Sequence, residues 1–424
     1  MTVLVTVIGG GIGGLATALS LHAVGIDVEV VESARQIEPL GVGINLLPHA
    51  VRELTELGLG DALEATGIPT RQLSYFDRFG SLIWSEPRGR EAGYRWPQIS
   101  IHRGALQLLL LEAVEDRLGV DAVRTGLACE GFEETGSGVR TELRHRRTGR
   151  LETVTGDVLV GADGIHSAVR AQLHPGEGRP IWNGIQMWRG VTEAEPFLGG
   201  RTMIMAGSNL SAKFVAYPIA RTSEDAGRSS VNWVAEVRLE GGAPPEPEDW
   251  NRHGHAGAVL AHFGDWRFDW LDIPALIAGA PAVFQYPMVD RDPLPRWGDG
   301  RVTLLGDAAH PMYPIGSNGA SQAIIDARVL ASALAGENDP VAALLAYEAA
   351  RRDATSALVR SNREMGPERV LRIVAERAPE GFARIEDVMS GDELEDIARR
   401  YKLTAGFEVE ALNTRPSWTF APSG

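Results

Sequence analysis

The chain has a single cysteine, Cys129, among 424 residues, so no disulfide can form within one molecule. Such sparse cysteine usage is typical of proteins that function in a reducing compartment. The sequence also has no run of about 18 consecutive apolar residues, the length at which a segment predicts a transmembrane helix. We therefore expect a cytoplasmic protein without a membrane span.

Basic residues are too few for a nucleic-acid surface. The chain has 41 Lys and Arg against 56 Asp and Glu, a formal net charge of −15, whereas phosphate backbones are bound by clustered Lys and Arg. The N-terminus "MTVLVTVIGGGIGG" has no basic segment, and its apolar run ends in glycines, which favours a first strand over a signal peptide. The remaining composition is that of a globular protein with room for two or three domains.

The stretch "GGGIGG" has the G-x-G-x-x-G spacing in Gly9, Gly11 and Gly14, between an apolar strand and a segment with helical spacing. Gly9 permits a tight turn, Gly11 lets the backbone approach a pyrophosphate, and Gly14 lets the helix pack on the strand. Glu32 follows at the end of the second strand, where a carboxylate accepts hydrogen bonds from an adenosine ribose. The pattern predicts a βαβ dinucleotide-binding unit but does not distinguish FAD from NAD.

Two further motifs decide for a flavin. "DVLVGADGIHSAVR" is a buried strand that runs into a turn at Asp163, and "GRVTLLGDAAHPMYPIGSNGASQAIIDA" is a strand, a proline-containing loop and a helix. Asp307 follows its strand directly, so its carboxylate needs partners such as ribityl hydroxyls. The helix that opens after Gly316 would direct its N–H groups towards the negative end of a reduced flavin ring. We expect His310 to be structural, packing between Asp307 and the prolines.

In this order and at these separations, the three motifs resemble the class A FAD-dependent aromatic monooxygenases, which include the 4-hydroxybenzoate and salicylate hydroxylases. The resemblance covers residues 1–370. The segments "PLGVGINLLPHAV", "WSEPRG", "SIHRGALQ", "MWRGVTE" and "QYPMVDRDPLPRWG" look most like the 5-methylphenazine-1-carboxylate 1-monooxygenase branch of that family. The chain beyond about residue 365 does not share this resemblance.

The resemblance implies an α/β fold in which a Rossmann-like FAD-binding βαβ domain is combined with an antiparallel-sheet substrate domain and C-terminal helices, as in 4-hydroxybenzoate hydroxylase. It implies a discontinuous FAD-binding domain of residues 1–72, 98–180 and 286–365. Residues 73–97 and 181–285 would form the substrate-binding sheet domain. Residues 366–424 would form a C-terminal tail of helical and irregular structure.

The resemblance also assigns cofactor contacts. The FAD pyrophosphate would be held by Gly9, Gly11, Ile12, Gly13 and Gly14. The other implied contacts are, in chain order, Glu32 and Ser33 at the adenosine ribose, Val42, Gly43 and Ile44 beside the flavin, Arg103 at the pyrophosphate and ribityl region, Leu127 or Ala128 at adenine, Asp163 in a motif shared by FAD and nicotinamide, Asp307 at the ribityl chain, and Gly316, Asn318, Gly319 and Ala320 at the pyrimidine edge.

Pro314 matches the proline beside the reacting carbon of the substrate, and the sheet of residues 181–290 would form the pocket wall. Only every second residue of a strand faces one side, so about half of the candidates must point away. The candidates are Met187, Trp188, Met203, Met205, Phe214, Ala216, Tyr217 and Gln285. We select Trp188, Phe214, Tyr217 and Gln285, and we expect Trp188, not its neighbour Arg189, to face inward.

The implied activity is hydroxylation of a planar aromatic, phenazine- or salicylate-like, with or without loss of a ring carboxylate. NADH or NADPH and O2 would be consumed through a flavin C4a-hydroperoxide, with no metal and no catalytic triad, in a monomer or homodimer. One alternative is an FAD-dependent oxidase or reductase that inserts no oxygen, and another is an FAD-binding sensor without catalysis. A flavin-dependent halogenase is a third, although "DWRFDWLDIP" has the wrong spacing for the halogenase pattern W-x-W-x-I-P.

Overall fold

The computed structural model describes residues 3–39, 41–221, 227–239, 241 and 252–418. The strands are β1 (Leu4–Ile8), β2 (Asp27–Glu32), β3 (Gly43–Leu46), β4 (Ile68–Thr70), β5 (Gln72–Phe76), β6 (Leu82–Pro87), β7 (Gln98–His102), β8 (Val123–Thr125), β9 (Leu127–Glu134), β10 (Val139–His145), β11 (Leu151–Gly156), β12 (Val158–Gly161), β13 (Ile181–Ala194), β14 (Thr202–Gly207), β15 (Ala212–Arg221), β16 (Ser229–Arg238), β17 (Arg267–Phe268), β18 (Leu271–Asp272), β19 (Val283–Asp290) and β20 (Val302–Leu304).

The α-helices are α1 (Ile12–Ala23), α2 (Pro48–Glu56), α3 (Gly60–Thr66), α4 (Arg103–Leu118), α5 (Ala168–Leu173), α6 (Ala256–Phe263), α7 (Ile273–Ala278), α8 (Gly319–Gly336), α9 (Pro340–Arg363), α10 (Arg369–Arg377), α11 (Gly391–Ala405) and α12 (Val409–Thr414). Short 3₁₀ helices are Gly89–Ala92, Val120–Ala122, Leu198–Gly200, Gly306–Ala308, Ile315–Ser317, Gly366–Glu368 and Ile385–Asp387. Among these described residues, no helix is both long enough and apolar enough to cross a bilayer.

A parallel sheet carries the first motif. Within the described residues it has the strand order β20-β12-β1-β2-β8. Its central strand β1 is apolar on both sides, with Val5 and Val7 fully buried, as a strand covered by helices on both faces requires. The succession β1, α1, β2 confirms the predicted βαβ opening, and the pairing of β1 with β2 is parallel.

A larger, mainly antiparallel sheet follows the order β19-β13-β16-β15-β14-β5-β6 in the described part of the chain. We call it the large sheet. It confirms the predicted antiparallel sheet between residues 181 and 290, and its last two strands, β5 and the edge strand β6, come from residues 72–87. The proposed division into domains stays a prediction, and β19 runs across the expected boundary at residue 285 because the sheet continues to Asp290.

The two faces of the large sheet are covered differently. On one face, which we call the outer face, aromatic and branched side chains pack under α6 and α7, with Trp233 and Phe263 fully buried. On the other, the inner face, Met203, Met205 and Tyr217 pack with residues of the C-terminal helices. The large sheet is therefore enclosed on both sides, and chain alternation decides which side chains reach each layer.

The C-terminal tail is more regular than the expected mixture of helical and irregular structure. Ser390 caps the N-terminus of α11 by accepting a hydrogen bond from Glu393 N, and Gly406 ends that helix in the left-handed region at φ 74°. Val370 and Leu394 pack into the cluster on the inner face. The tail thus covers the inner face rather than extending from the protein.

Candidate cofactor and substrate site

The three motif glycines of the first turn have three different surroundings. A Cβ at Gly9, whose φ is +111°, would lie 2.4 Å from Ala162 O, and a Cβ at Gly14 would lie 1.9 Å from Gly9 O. A Cβ at Gly11 would meet no protein atom within 4 Å. Gly9 and Gly14 therefore serve close packing, whereas Gly11 faces open space before α1, whose N-terminus has no side-chain cap. Uncapped N–H groups beside that space fit a pyrophosphate.

The next two predicted residues of the turn serve packing. Ile12 is buried in the core. A Cβ at Gly13 would lie 2.9 Å from Leu305 Cδ2 and 3.3 Å from Ala323 Cβ. The helix after the first motif is therefore seated directly against the strand end and the helix of the third motif.

Glu32 holds the glycine turn from the end of β2. Its Oε2 accepts a hydrogen bond from Gly10 N at 2.7 Å, and its Oε1 accepts one from Ala34 N at 2.6 Å. Ser33 Oγ is exposed and lies 3.2 Å from Glu32 Oε1. A carboxylate oxygen has two lone pairs, and Oε2 accepts only the bond from Gly10 N, so Oε2 can still accept a hydroxyl of a ribose.

The predicted adenine-side residues lie beside the same turn. Gly126 N donates to Ala34 O at 2.7 Å and so brings the start of β9 close to the residues after Glu32. Leu127 is buried, and Ala128 is half-buried. Both pair with β10 through their backbones, which leaves them at the edge of the site rather than inside the parallel sheet.

Asp163 in the second motif has one unsatisfied carboxylate oxygen. Its Oδ2 accepts a hydrogen bond from Ala168 N at 2.8 Å, whereas its Oδ1 is buried and has no protein partner. Burial raises the pKa of this carboxyl group. The residue lies against the glycine turn, because a Cβ at Gly9 would be 3.0 Å from Asp163 Cα. An unpaired buried acceptor next to the cradle fits a donor from a bound cofactor.

Arg170 joins the second motif to the third. Its Nη1 donates to Ala308 O at 2.8 Å and to Ala309 O at 2.9 Å, and its Nε donates to Glu177 Oε2 at 2.7 Å. Ser167 caps the short helix α5 by accepting from Arg170 N. Through these contacts the second motif supports the loop that carries Asp307.

Asp307 lines a cleft rather than the core. Its side chain is solvent-exposed, yet the surrounding protein raises its pKa by desolvation, against the opposing charges of His310 and Arg103. A Cβ at Gly319 would lie 3.8 Å from Asp307 Oδ1. Asp307, the exposed Arg103 and the first turn of α8 therefore surround one cleft, where ribityl hydroxyls and phosphates find a carboxylate, a cation and free N–H groups.

The turn before α8 is left-handed at two successive residues, Gly316 at φ +68° and Ser317 at φ +59°. Asn318 is the N-cap residue, but its side chain does not cap the helix. The first N–H groups of α8, from the half-buried Gly319 and Ala320 onward, are left for an external acceptor. Such a helix start fits the carbonyl-rich pyrimidine edge of a flavin.

His310 belongs to a buried ion-paired group. Its Nε2 lies 2.6 Å from Asp326 Oδ2, and Asp326 also accepts from Arg351 Nε at 2.7 Å. Burial alone would raise the pKa of Asp326, but the charges of His310 and Arg351 lower it. His310 is therefore structural, as expected, although its main partner is Asp326 rather than Asp307.

Tyr401 is a residue of this site that the sequence did not reveal. Its hydroxyl accepts a hydrogen bond from Asn318 Nδ2 at 2.9 Å and lies 3.2 Å from both Ile315 O and Asn362 Oδ1. A Cβ at Gly316 would lie 1.9 Å from that hydroxyl oxygen. The tail thus supports the left-handed turn, but no motif in residues 366–424 signals this contact.

Three side chains of the inner face fasten the predicted flavin-flanking strand β3. Arg189 Nη2 and Tyr217 Oη donate to Gly43 O at 2.7 and 2.9 Å, and Gly43 N donates to Asn232 Oδ1 at 2.7 Å. Its neighbours in the predicted site are Val42, which is buried, and Ile44, which is half-buried. The inner face of the large sheet is therefore bonded at Gly43 to the strand that is predicted to flank the flavin.

The structure corrects the expected orientation of the pocket wall. Trp188 and Phe214 lie in the cluster of the outer face, and Gln285 joins Trp188 against Gly254. The neighbouring Arg189 consequently faces inward, because successive residues of a strand point to opposite faces. Four of the eight candidates point away from the cleft: Trp188, Phe214, Ala216 and Gln285.

Of the selected wall residues, only Tyr217 lies on the inner face, together with Met187, Met203 and Met205. Pro314 is exposed in the loop of the third motif. Its neighbours Tyr313 and Ile315 pack with Met187. The proline predicted to lie beside the substrate is therefore adjacent to the inner face.

In the described part of the chain, no group of three or more His, Cys, Asp or Glu side chains is placed to hold a metal ion. What the site contains is two uncapped helix starts, a cleft-lining carboxylate and a glycine turn against a mainly antiparallel sheet. These features together define a flavoprotein of the dinucleotide-binding class.

Comparison with known proteins agrees with this class. Residues 2–362 match the family described as FAD binding domain. The chain is 52% identical to the phenazine 1,6-dicarboxylic acid hydroxylase PhzS of Lysobacter antibioticus over 85% of this chain and 89% of that protein. It is 34% identical to the 3-amino-4-hydroxybenzoate 2-monooxygenase PtmB3 of Streptomyces platensis over 97% and 98%. The crystal structure of Klebsiella pneumoniae HpxO with FAD and uric acid superposes with a TM-score of 0.73 at 25% identity, over 98% and 97% of the two chains.

The chain belongs to the FAD binding domain family, and within it to the FAD-dependent aromatic hydroxylases. The predicted family, fold class and FAD cofactor are confirmed, as is the expected nearness to enzymes of phenazine carboxylates. The hydroxylase interpretation therefore prevails over the oxidase, sensor and halogenase alternatives. The individual cofactor and substrate contacts stay predictions, with the orientations given above.

Proposed function

We propose that this enzyme hydroxylates a planar, fused aromatic substrate of the phenazine type, with NADH or NADPH as the reductant and O2 as the oxidant. The observation that carries the proposal is the meeting of the FAD cleft with the inner face of the large sheet at Gly43. Apolar and aromatic side chains of the inner face, such as Met187 and Tyr286, suit a planar ring. The 52% identity to a phenazine dicarboxylic acid hydroxylase favours a fused ring over a single one.

Bound FAD would supply the redox and oxygen-activating chemistry, and the protein residues would position and shield it. The start of α1 and Arg103 would bind the pyrophosphate, and Asp307 would accept hydrogen bonds from the ribityl chain. The first turn of α8 would donate to the pyrimidine edge. The hydrogen bonds from Arg189 and Tyr217 to Gly43 O would fix the flavin-flanking strand relative to the substrate wall. Pro314 would border the reacting carbon.

The proposed reaction uses no acid–base triad of the protein, because the residues around the cleft would orient the cofactor and the substrate rather than attack them. A ring carboxylate at the hydroxylated carbon would leave as CO2, whereas hydroxylation at a neighbouring carbon would retain it. The identity of the product therefore reports which ring carbon faces the cofactor. We propose the described part of the tail, residues 366–418, as part of the substrate enclosure, since its residues from Val370 to Leu394 pack on the inner face.

The test is oxidation of NADH and NADPH by the FAD-loaded enzyme with phenazine-1-carboxylate, phenazine-1,6-dicarboxylate, salicylate and 3-amino-4-hydroxybenzoate, under labelled dioxygen. We expect one phenazine to stimulate oxidation and to acquire one labelled oxygen atom, which mass spectrometry of the product detects. Stimulated oxidation without label in any product would overturn the proposed reaction in favour of an oxidase.

A further inference from the structure

One buried lysine joins the C-terminal tail to the large sheet. Lys213 of β15 is almost fully buried, and its Nζ lies 2.9 Å from Glu236 Oε2 on the adjacent strand β16. The same ammonium group is paired with Glu368, which belongs to the short helix Gly366–Glu368 at the start of the tail. Both glutamates are buried as well. Two carboxyl groups therefore share one cation at a place from which water is largely excluded.

The junction would hold an unbalanced negative charge if both carboxyl groups were ionised. Two carboxylates at one buried site ionise together only at a large electrostatic cost, so one of them retains a proton. Glu368 accepts from Lys213 and also from Asn209 Nδ2 at 3.3 Å, whereas in the described part of the chain Lys213 is the sole cation in contact with Glu236. Burial raises the pKa of Glu236 to about 7, against the opposing charge of Lys213. Glu236 is therefore the carboxyl group that holds the proton.

The other charged and titratable groups near the two glutamates do not remove this excess. Arg189 of β13 is close enough to act on Glu236, but its Nη2 donates to a backbone carbonyl of β3, and it contacts no carboxylate of the described residues. Tyr75 and Tyr401 are near Glu368, and burial raises the pKa of both hydroxyl groups, so that they are neutral. The junction thus keeps one carboxyl group more than the cations that contact it.

The tail begins at a sharp turn of the backbone. The chain leaves α9 through two successive residues in the left-handed region, Met365 at φ 74° and Gly366 at φ 46°, just before Glu368. A methionine rarely adopts this conformation, so the turn marks a break between α9 and the tail. Withdrawal of the tail at this turn would carry Glu368 away and leave Lys213 and Glu236 as a matched pair in water. Glu236 would then ionise, so that opening of the tail releases a proton.

We propose that the tail is a hinged cover of the inner face and that its docking takes up one proton from the solvent. The proton converts the Glu236 carboxylate into a carboxylic acid, and opening of the tail returns the proton to the solvent. Because the docked state binds more protons, docking is strongest at acidic pH and weakens from about pH 4 to about pH 7, above which it is constant. The inference goes beyond the proposed function, since it concerns the enzyme without substrate.

The experiment measures amide hydrogen exchange of α10 by mass spectrometry in the FAD-loaded enzyme without substrate, between about pH 5.5 and about pH 8. The rate in wild type is divided by the rate in Glu236→Gln at each pH, because the intrinsic exchange of the α10 peptide is the same in both and cancels. The glutamine is uncharged at every pH. We expect this ratio to rise about tenfold or more across the range. Glu368→Gln, which removes the excess carboxyl group on the side of the tail, should abolish the pH dependence in the same way.

The matched control is Glu86→Gln, at a second buried contact between the large sheet and the tail. Glu86 is paired with Lys402 of α11 at 3.0 Å and with Arg88, so this contact has no carboxylate in excess. Its substitution should speed the exchange of the tail by the same factor at every pH and should leave the pH dependence of wild type in place.

Three results would overturn the inference. A ratio of wild type to Glu236→Gln that stays within about twofold across the pH range would mean that no proton is linked to docking. A pH dependence that persists in Glu368→Gln would place the proton outside this junction. Exchange of α10 no faster than that of β1 at about pH 8 would mean that the tail opens only when the whole protein unfolds. If Glu236→Gln does not fold, the ratio of wild type to Glu368→Gln decides in its place.

Discussion

The predicted FAD site and the inner face of the large sheet are joined by hydrogen bonds at Gly43, but the two regions are built from different groups of the chain. The predicted FAD site is formed mainly by backbone groups, which are two uncapped helix starts, a glycine turn and a left-handed turn at Gly316. The inner face is formed by side chains, among them Arg189, Tyr217 and Met205. A site made of backbone groups tolerates few substitutions, because a single added Cβ can fill the space for the ligand. A site made of side chains can acquire a preference for another ligand when one of those side chains is replaced.

From this contrast between the two regions, we expect the largest effect on folding and FAD binding from substitutions of the glycines in the first turn. Gly14→Ala should prevent recovery of soluble FAD-loaded protein, because the new Cβ would lie 1.9 Å from Gly9 O and would separate α1 from β1. Gly11→Ala is the matched variant, since its Cβ meets no protein atom within 4 Å. It should fold normally but retain little flavin, as measured by absorbance after gel filtration. Equal flavin content in Gly11→Ala and wild type would show that the pyrophosphate lies elsewhere.

The outer face of the large sheet should affect stability and not ligand binding. Trp188→Ala should lower the free energy of unfolding by about 3–5 kcal/mol, because it removes a large buried side chain from a packed cluster. The affinity of the remaining folded enzyme for a phenazine carboxylate should stay within about twofold of wild type, since substitutions at separate sites act independently. Met205→Ala, on the inner face, is the contrasting variant and should weaken substrate binding. Chemical denaturation and titration calorimetry measure the two quantities, and a selective loss of affinity in Trp188→Ala would contradict the assigned orientation.

Substitution of Asp307 tests the contribution of a side chain to FAD binding. Asp307→Ala should weaken FAD binding by about 1–3 kcal/mol, because the ribityl hydroxyls lose their acceptor. Fluorescence titration of the apoprotein with FAD measures this change. Asp307→Asn keeps an acceptor oxygen and should lose less, so an equal loss in both variants would point to the charge rather than to hydrogen bonding.

The same residue predicts a pH dependence. The pKa of Asp307 is raised in the folded protein, so the ionised form is disfavoured there and destabilises the apoprotein once pH rises above the ordinary Asp range. Asp307→Asn should therefore raise the unfolding free energy of the apoprotein slightly at neutral pH, because water screens the charge of this exposed side chain. This advantage should disappear as pH falls below that range. A variant that is no more stable than wild type at neutral pH would contradict the shift.

The sequence predicted the glycine turn and the βαβ unit around it well, because the constraints on Gly9, Gly11 and Gly14 are local and the strand and helix around them are strongly patterned. It predicted the side-chain part poorly. Alternation shows that Trp188 and Arg189 face opposite sides, but it does not show which side is covered by α6 and α7. That assignment depends on helices that pack onto the sheet from more than 60 residues away in the sequence. Trp188 was expected in the pocket, but the aromatic cluster to which it belongs lies on the outer face.

The smallest predicted effect concerns Tyr401, where a side chain supports the backbone site. Tyr401→Phe removes only the hydroxyl that accepts from Asn318 Nδ2 and lies against Ile315 O. The turn would keep its shape, because the ring still fills the space beside Gly316, but it would be held less firmly. We expect FAD binding to weaken by about 1 kcal/mol, roughly fivefold, as for one lost hydrogen bond. The matched control is Tyr94→Phe, which loses a comparable hydrogen bond to Phe407 O at 2.6 Å in the same cluster but does not touch the turn. Both variants should lose similar stability on denaturation, and only Tyr401→Phe should change the FAD dissociation constant. If both change it equally, the tail acts through overall stability, and the left-handed turn is held by its own backbone.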